Sequence, residues 1–546
     1  MIENRRLAVC LAAGALALAG CASVDPETAD IRAEAIEAHT AYLASDRLKG
    51  REAGAEGFDL AARYVEARFR DAGLKLLPGQ RGMFLPVVLQ ERTIEPGSAF
   101  IEIGTAAGKR RFENGETVAI DASARQEADR IEGALVFVGY GVSAPALGHD
   151  DYKGLNVDGR IAVMLEGAPP AFSETMRAIY SGRDEKERAA AARGAVAVFT
   201  LSSPHENEFG ETRPAYTWIE PDGRPHVVAE GVRATARLGP EAAAILFANA
   251  PRALSEILSE AKTGAPRGFD LGATAALSRR SNHKLLHSAN VAALLPGTDR
   301  KLRREYVVLS AHLDHLGEHG PEEGDRIYNG AVDNAGGVAV MLEVARALSA
   351  GPRLKRSVIF LATTGEEKGL LGARAFVADP PAPLDAIVAN VNIDGLLAFY
   401  DFSDLNARGA EHSTIAEAVA AAAGAIGAAI APDPFPQFSL FFRSDQYAFV
   451  RRGVPSVFVL PGVAAGLDGK NGGEVWSSYM STHYHQPSDD MSLPWDWNAA
   501  RRFAEFHRLL MEGLANAPSR PQWYEGDEIA GAFDPEGRRA PIPSTP

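Results

Sequence analysis

The chain has 546 residues, 46% hydrophobic and 23% charged, with a formal net charge of −15 and two cysteines. Those proportions fit a globular chain and exclude a disordered, collagen-like or multi-span membrane protein. The acidic balance argues against a nucleic-acid partner, which wants a basic face, and two cysteines exclude a disulfide scaffold or a cysteine-rich zinc finger.

Arg5 and Arg6 precede an apolar run from Leu7 to Gly20. That is shorter than the roughly 20 residues a spanning helix needs, so residues 1–20 read as a secretory signal. The run ends in Leu18-Ala19-Gly20-Cys21, which resembles the bacterial lipoprotein processing box. The resemblance implies cleavage before Cys21 and lipidation of its sulfur. Cys10 would leave with the signal, and no free thiol would remain, as suits an oxidising compartment. The expected location is the bacterial cell envelope, lipid-anchored on the periplasmic face. Ala22 in place of an aspartate leans the anchor toward the outer membrane.

Residues 21–30 read as a tether. From Ile31 to Leu74 the pattern is helical: Phe58, Ala62, Val65 and Phe69 form one apolar stripe, and Gly73 ends it. Residues 31–129 are predicted to hold this helical part and lead-in strands such as Phe100 to Ile103. Residues 130–285 are predicted as a β-rich α/β insert, with strands at Ala134 to Val138, Gly159 to Leu165 and Ala195 to Leu201 and a charged helix from Asp184 to Arg193. This arrangement resembles the protease-associated domain. Residues 286–517 alternate strand and helix. Tyr306 to Ala311, Val358 to Ala362, Ile387 to Ile393 and Ser456 to Leu460 are near-continuous apolar runs, as in a largely parallel sheet covered by helices. Helices are predicted from Gly337 to Leu348, Ala416 to Ala431 and Ala499 to Leu514. Residues 518–546, rich in proline and glycine, read as an irregular or loose tail.

Polar clusters stand where these strands end: His312-Leu313-Asp314-His315, Thr364-Gly365-Glu366-Glu367 and Asp394. Asp333-Asn334-Ala335-Gly336-Gly337 opens a helix, and His483-Tyr484-His485-Gln486-Pro487 lies near the end of the domain. The carboxyl edge of an open α/β sheet is where ligands bind. Histidine nitrogen and carboxylate oxygen suit a catalytic zinc. A pair of metals needs a bridging carboxylate, and a carboxylate free of metal can take a proton from water.

Together these segments, with the lead-in Ser45-Asp46-Arg47-Leu48-Lys49-Gly50-Arg51-Glu52, resemble the co-catalytic zinc aminopeptidases of metallopeptidase family 28. The resemblance covers Asn290 to about Leu514. It implies two Zn²⁺ per chain, one held by His312 and Asp394, the other by Glu367 and His485, with Asp333 bridging. It implies Glu366 as general base, Asp314 orienting His312 through its other ring nitrogen, and Tyr484 supporting the oxyanion. His315 and His483 read as structural histidines. Asp445 is a candidate for the substrate amine or for a structural ion pair. The fold expected is a zinc-peptidase core with a mixed, largely parallel sheet flanked by helices. The function expected is release of N-terminal residues from peptides by a metal-bridged hydroxide. Three alternatives stay open: a glutaminyl-peptide cyclase-like enzyme, a carboxypeptidase-like member, and a non-catalytic lipoprotein that binds a partner.

Overall fold

The computed structural model describes residues 29–202, 213–321 and 323–542. The signal, Cys21 and most of the tether lie outside the described residues. Among the described residues no helix is long and apolar enough to cross a membrane.

The centre is a mixed sheet. Tyr306–His312 lies between Ser357–Thr363 and Ile387–Asn392, parallel to both, and Ser456–Pro461 extends this parallel set. These strands are almost wholly buried, because both faces are covered by helices. One face packs on Gly337–Ala350 and Trp497–Asn516, with Glu56–Asp71 beside them. The other packs on Leu371–Ala378 and Gln446–Val450.

The helical lead-in is broken into Ala33–Leu43, a turn at Asp46–Arg51, and Glu56–Asp71. Phe58, Ala62, Val65 and Phe69 are buried as their spacing requires. The alanine-rich segment is helical only over Ile415–Ala425; Gly427 then takes a positive φ, and Ala429–Ala431 becomes an edge strand. The tail is anchored rather than loose: Trp523–Tyr524 pairs with Arg539–Ala540, and Trp523 is buried.

A second core gathers apolar residues from Ala99 to Leu277. It starts ahead of residue 130 because Phe100–Thr105 pairs with the long strand Phe269–Leu295, and Val118–Ile120 with Ala234–Leu238. The long strand belongs to both units. Its first half pairs with Ala128–Phe137, and its second half with Phe84–Ile94 and Ser357–Thr363. The insert is also clamped by charge: Asp184 accepts from Arg374 and Arg451, both at 2.8 Å, and Glu185 from Arg451 at 2.6 Å.

His507 lies fully buried in the helix Trp497–Asn516, its ring against Phe503 and Phe506. Nδ1 donates to the Phe503 carbonyl, and burial pushes the imidazole down to about 4. An unfolded histidine titrates near 6.5. The native state therefore binds fewer protons between these values, and stability present above 6.5 is lost as pH falls toward 4. The loss amounts to about 3 kcal/mol. His507→Leu should flatten that acid limb by a comparable amount in urea titrations at pH 7 and pH 4.5; an unchanged difference would contradict the assignment.

Candidate metal centre and catalytic cleft

Each predicted polar cluster sits at the carboxyl edge of the parallel strands or at a helix start. His312 is the last residue of its strand, Asp394 follows Ile387–Asn392, and Glu366 and Glu367 follow Ser357–Thr363. Asp333 lies in the irregular turn Ala331–Gly336 ahead of the helix Gly337–Ala350. Gly330 precedes that turn at φ 57°; a Cβ there would fall 2.1 Å from the Asp333 carbonyl and 2.5 Å from the His315 ring. Only glycine fits so close an approach.

Two donor groups converge and share Asp333. His312, Asp333 and Asp394 form one; His315, Asp333 and Glu367 form the other. His312 Nε2 lies 3.0 Å from Asp394 Oδ1 and 3.1 Å from Asp333 Oδ1. His485 Nε2 lies 3.2 Å from Asp333 Oδ2 and 3.4 Å from Glu367 Oε2. His485 reaches them from a left-handed backbone, φ 57°, a conformation that costs a side-chain-bearing residue about 1–3 kcal/mol and clusters at functional sites.

The sequence treats His315 as structural. It lies buried with Nδ1 2.8 Å from Glu367 Oε1, while its Nε2 has no hydrogen-bond partner. It therefore touches the donor set directly. His483 stays apart, bonded to the Ser488 hydroxyl at 2.9 Å.

Asp314 corrects the expectation for His312. The ring Nδ1 bonds the main-chain carbonyl of Asp314 at 3.1 Å, not its carboxylate. The carboxylate turns away and accepts the Glu366 N–H at 3.1 Å, fixing the loop that carries both glutamates. Among the described residues Asp445 makes no ion pair: it accepts from the Thr363 hydroxyl, and its other oxygen is buried with no partner among them.

Two further residues hold the site. Asp489, in the run after His485, accepts the N–H groups of Val332 and Asp333 at 2.9 and 3.1 Å and so cradles the Asp333 turn. Arg51, buried, donates to the carbonyls of Leu313, Asn329 and Gly330, tying the lead-in to both ligand loops.

The electrostatics show surplus negative charge. Burial raises Asp314 to about 6, Asp489 to about 6 and Asp445 to about 7. Burial, with Asp394, Glu367 and Asp445 nearby, pushes Glu366 well above the usual carboxylate range. Asp333 runs the other way: despite burial, hydrogen bonds from His312 and His485 hold it well below. Burial opposes charge on His312, yet Asp394 and Asp333 raise it well above an ordinary histidine. Crowded carboxylates with unsatisfied buried oxygens, beside imidazole nitrogens, are the environment a hard or borderline dication relieves. The nitrogen–oxygen donor set suits zinc.

These groups open into a cavity of about 720 Å³. Glu366, Glu367, Asp333, Asp394, Tyr484 and His485 line its polar floor. Tyr484 stacks on His485 with ring centroids 3.9 Å apart. Apolar walls come from Phe438, Leu440, Leu460, Trp476 and Met480. No described residue between 100 and 285 lines the cavity. The insert and the lead-in instead brace the glutamate loop from outside: Lys368 lies over the Tyr216 ring of the insert and pairs with Glu52 of the lead-in at 2.9 Å.

The chain is similar to several known proteins. Probable lipoprotein aminopeptidase LpqL of Mycobacterium tuberculosis is 26% identical over 394 residues, 69% of this chain and 66% of that protein. A probable zinc metalloprotease of Pyrenophora teres f. teres is 34% identical over 117 residues, 21% of this chain and 24% of its own. The match thus spans just under two thirds of the first relative and about a quarter of the second. Among solved structures, the aminopeptidase from Aneurinibacillus sp. strain AM-1 aligns over 91% of this chain and 96% of its own, at 19% identity and a TM-score of 0.49. The model of peptidase family M28 matches residues 290–511, and over those residues the chain carries a domain of that family.

Proposed function

We propose that the protein is a two-zinc aminopeptidase that removes single residues from the free N-terminus of peptides. The observation that carries this reading is the pair of donor groups sharing Asp333 on the floor of one cavity, with Glu366 beside them and outside both. His312 and Asp394 would hold one ion, Glu367 and His485 the other, with Asp333 a ligand to both. His485 is preferred to His315 because its Nε2 faces Asp333 and Glu367 together and lines the cavity. His315 then orients Glu367 through its Nδ1.

Bound zinc supplies an activated water and polarises the peptide carbonyl. The chain supplies the rest. Glu366 takes the proton of the attacking water on its carboxylate and returns it to the leaving amine nitrogen. The carboxylate-rich floor faces the substrate ammonium, and the Tyr484 hydroxyl supports the developing oxyanion. The apolar walls take the first side chain. The lipobox at Cys21, with the lipoprotein aminopeptidase among the relatives, supports an enzyme anchored to the cell envelope.

The test uses detergent-solubilised full-length protein and matched peptides with free or acetylated N-termini, with products followed by mass. Loss of single N-terminal residues from the free set alone, abolished by chelation and restored by zinc, is the expected result. Cleavage of both sets from the other end would point to a carboxypeptidase. Loss of ammonia from glutaminyl peptides would point to a cyclase.

A further inference from the structure

The cavity has an unbalanced feature. Besides two tyrosines, its ionisable lining is Asp333, Glu366, Glu367, Asp394, His485 and Arg443. The first three and Asp394 are carboxylates, and His485 lies against two of them. Arg443 is the one fixed cation in the wall among the described residues, and it makes no ion pair or side-chain hydrogen bond there. The contrast within its own segment is sharp. Arg451, eight positions on, is paired to both Asp184 and Glu185. Arg443 is exposed at the cavity mouth, so its side chain is open to a ligand there.

The arginine is placed by its neighbours. It directly follows the short turn Leu440–Phe442. Ser444 and Asp445 follow, both buried. The Ser444 hydroxyl accepts from Asn392, and Asp445 accepts from Thr363, three positions before Glu366 in the chain. The residues after Arg443 thus pin its backbone to the strands that lead to Asp394 and Glu366, and Arg443 itself lines the cavity wall.

A peptide that presents its ammonium to the floor carries its own carboxylate at the far end. A cavity with carboxylates at one place and a guanidinium at another is complementary to such a zwitterion when the two charges are close, as in a dipeptide. A guanidinium binds a carboxylate through paired N–H donors, and substrate length then enters specificity through a charge that amidation removes. Resting on the aminopeptidase reading above, we propose that Arg443 is a specificity-determining residue that binds a substrate carboxylate near the cleaved bond, so that the preferred substrates are very short peptides. The same chemistry could come from an acidic side chain at the second position.

The test compares Leu-Gly with Leu-Gly amide, and Leu-Glu amide with Leu-Gln amide, in the full-length zinc-loaded protein and in Arg443→Met and Arg443→Lys. A hydrogen bond to a charged group supports a preference of about tenfold or more. The wild type should favour Leu-Gly over its amide by that factor in kcat/KM. The ratio should fall to about one in Arg443→Met and be partly restored in Arg443→Lys. If the preference appears only in the Leu-Glu pair, and is lost in Arg443→Met, Arg443 reads a side-chain carboxylate and the preference for very short peptides is overturned. A wild-type ratio near one in both pairs, or a ratio that survives Arg443→Met, overturns the assignment of Arg443. Calorimetric binding of Leu-Gly and Leu-Gly amide to Glu366→Gln, with and without Arg443→Met, reads the same ratio without turnover. Failure of the aminopeptidase reading would show as no hydrolysis of any substrate, which is distinct from loss of the ratio.

Discussion

Replacing Glu366 by glutamine will lower kcat by about 10²–10⁴-fold while leaving the zinc content unchanged. Glu366 belongs to neither donor group, so its carboxylate is not needed to hold an ion. Its backbone N–H is fixed by Asp314, so the amide will occupy the same place. Glutamine matches glutamate in size but has no basic oxygen to receive a proton. The KM for a Leu-Gly substrate should move far less than kcat, because the side chain acts on water rather than on the peptide. Steady-state kinetics and metal analysis of the same preparation check this. Retained turnover would remove Glu366 from the proton transfer. Lost zinc would make it a ligand instead.

Asp333→Ala should have the largest effect on metal binding. One oxygen of Asp333 faces His312 and the other faces His485, so its loss strips a donor from both positions at once. Removing a partner one bond further from a metal already weakens affinity by about 10–100-fold; removing the shared ligand should exceed that for both ions. Zinc titration should then show neither site at micromolar protein, whereas Asp394→Ala should retain the position built on Glu367. The turn itself should survive, because Asp489 holds it by backbone N–H groups and not through the Asp333 side chain. A variant that still takes up two ions tightly would mean that Asp333 bridges nothing.

The catalytic core was legible in the sequence for a physical reason. Central parallel strands are buried on both faces, so Tyr306 to Ala311 and Val358 to Ala362 read as near-continuous apolar runs, and the polar cluster after each run stands out. The insert was harder to bound. Phe100–Thr105 alternates like any half-covered strand, and nothing local says that its partner is Phe269–Leu295, far along the chain. That 27-residue strand runs through the boundary expected at 285, because its two halves pair in different units. Ala416 to Ala431 misled because alanine marks no face; the turn at Gly427 ended the helix.

At the site, residue type carried most of the information, and partner identity carried little. Asp314 was expected to meet His312 through its carboxylate. A main-chain carbonyl serves instead, and every residue has one. His315 reads in the sequence only as a structural histidine, and Asp489 carries no signal of its own, because their contacts with Glu367 and with the Asp333 turn arise from loops distant in the chain. The only local hint for Asp489 was its place in the run that follows His485.

The central claim is a pair of ions bridged by Asp333, and anomalous scattering at the zinc edge from crystals of the zinc-loaded protein tests it most directly. The account predicts two peaks about 3.5–4 Å apart, both bonded to Asp333, one also to His312 and Asp394 and the other to Glu367 and His485. A single peak, or two peaks that do not share Asp333, would contradict it.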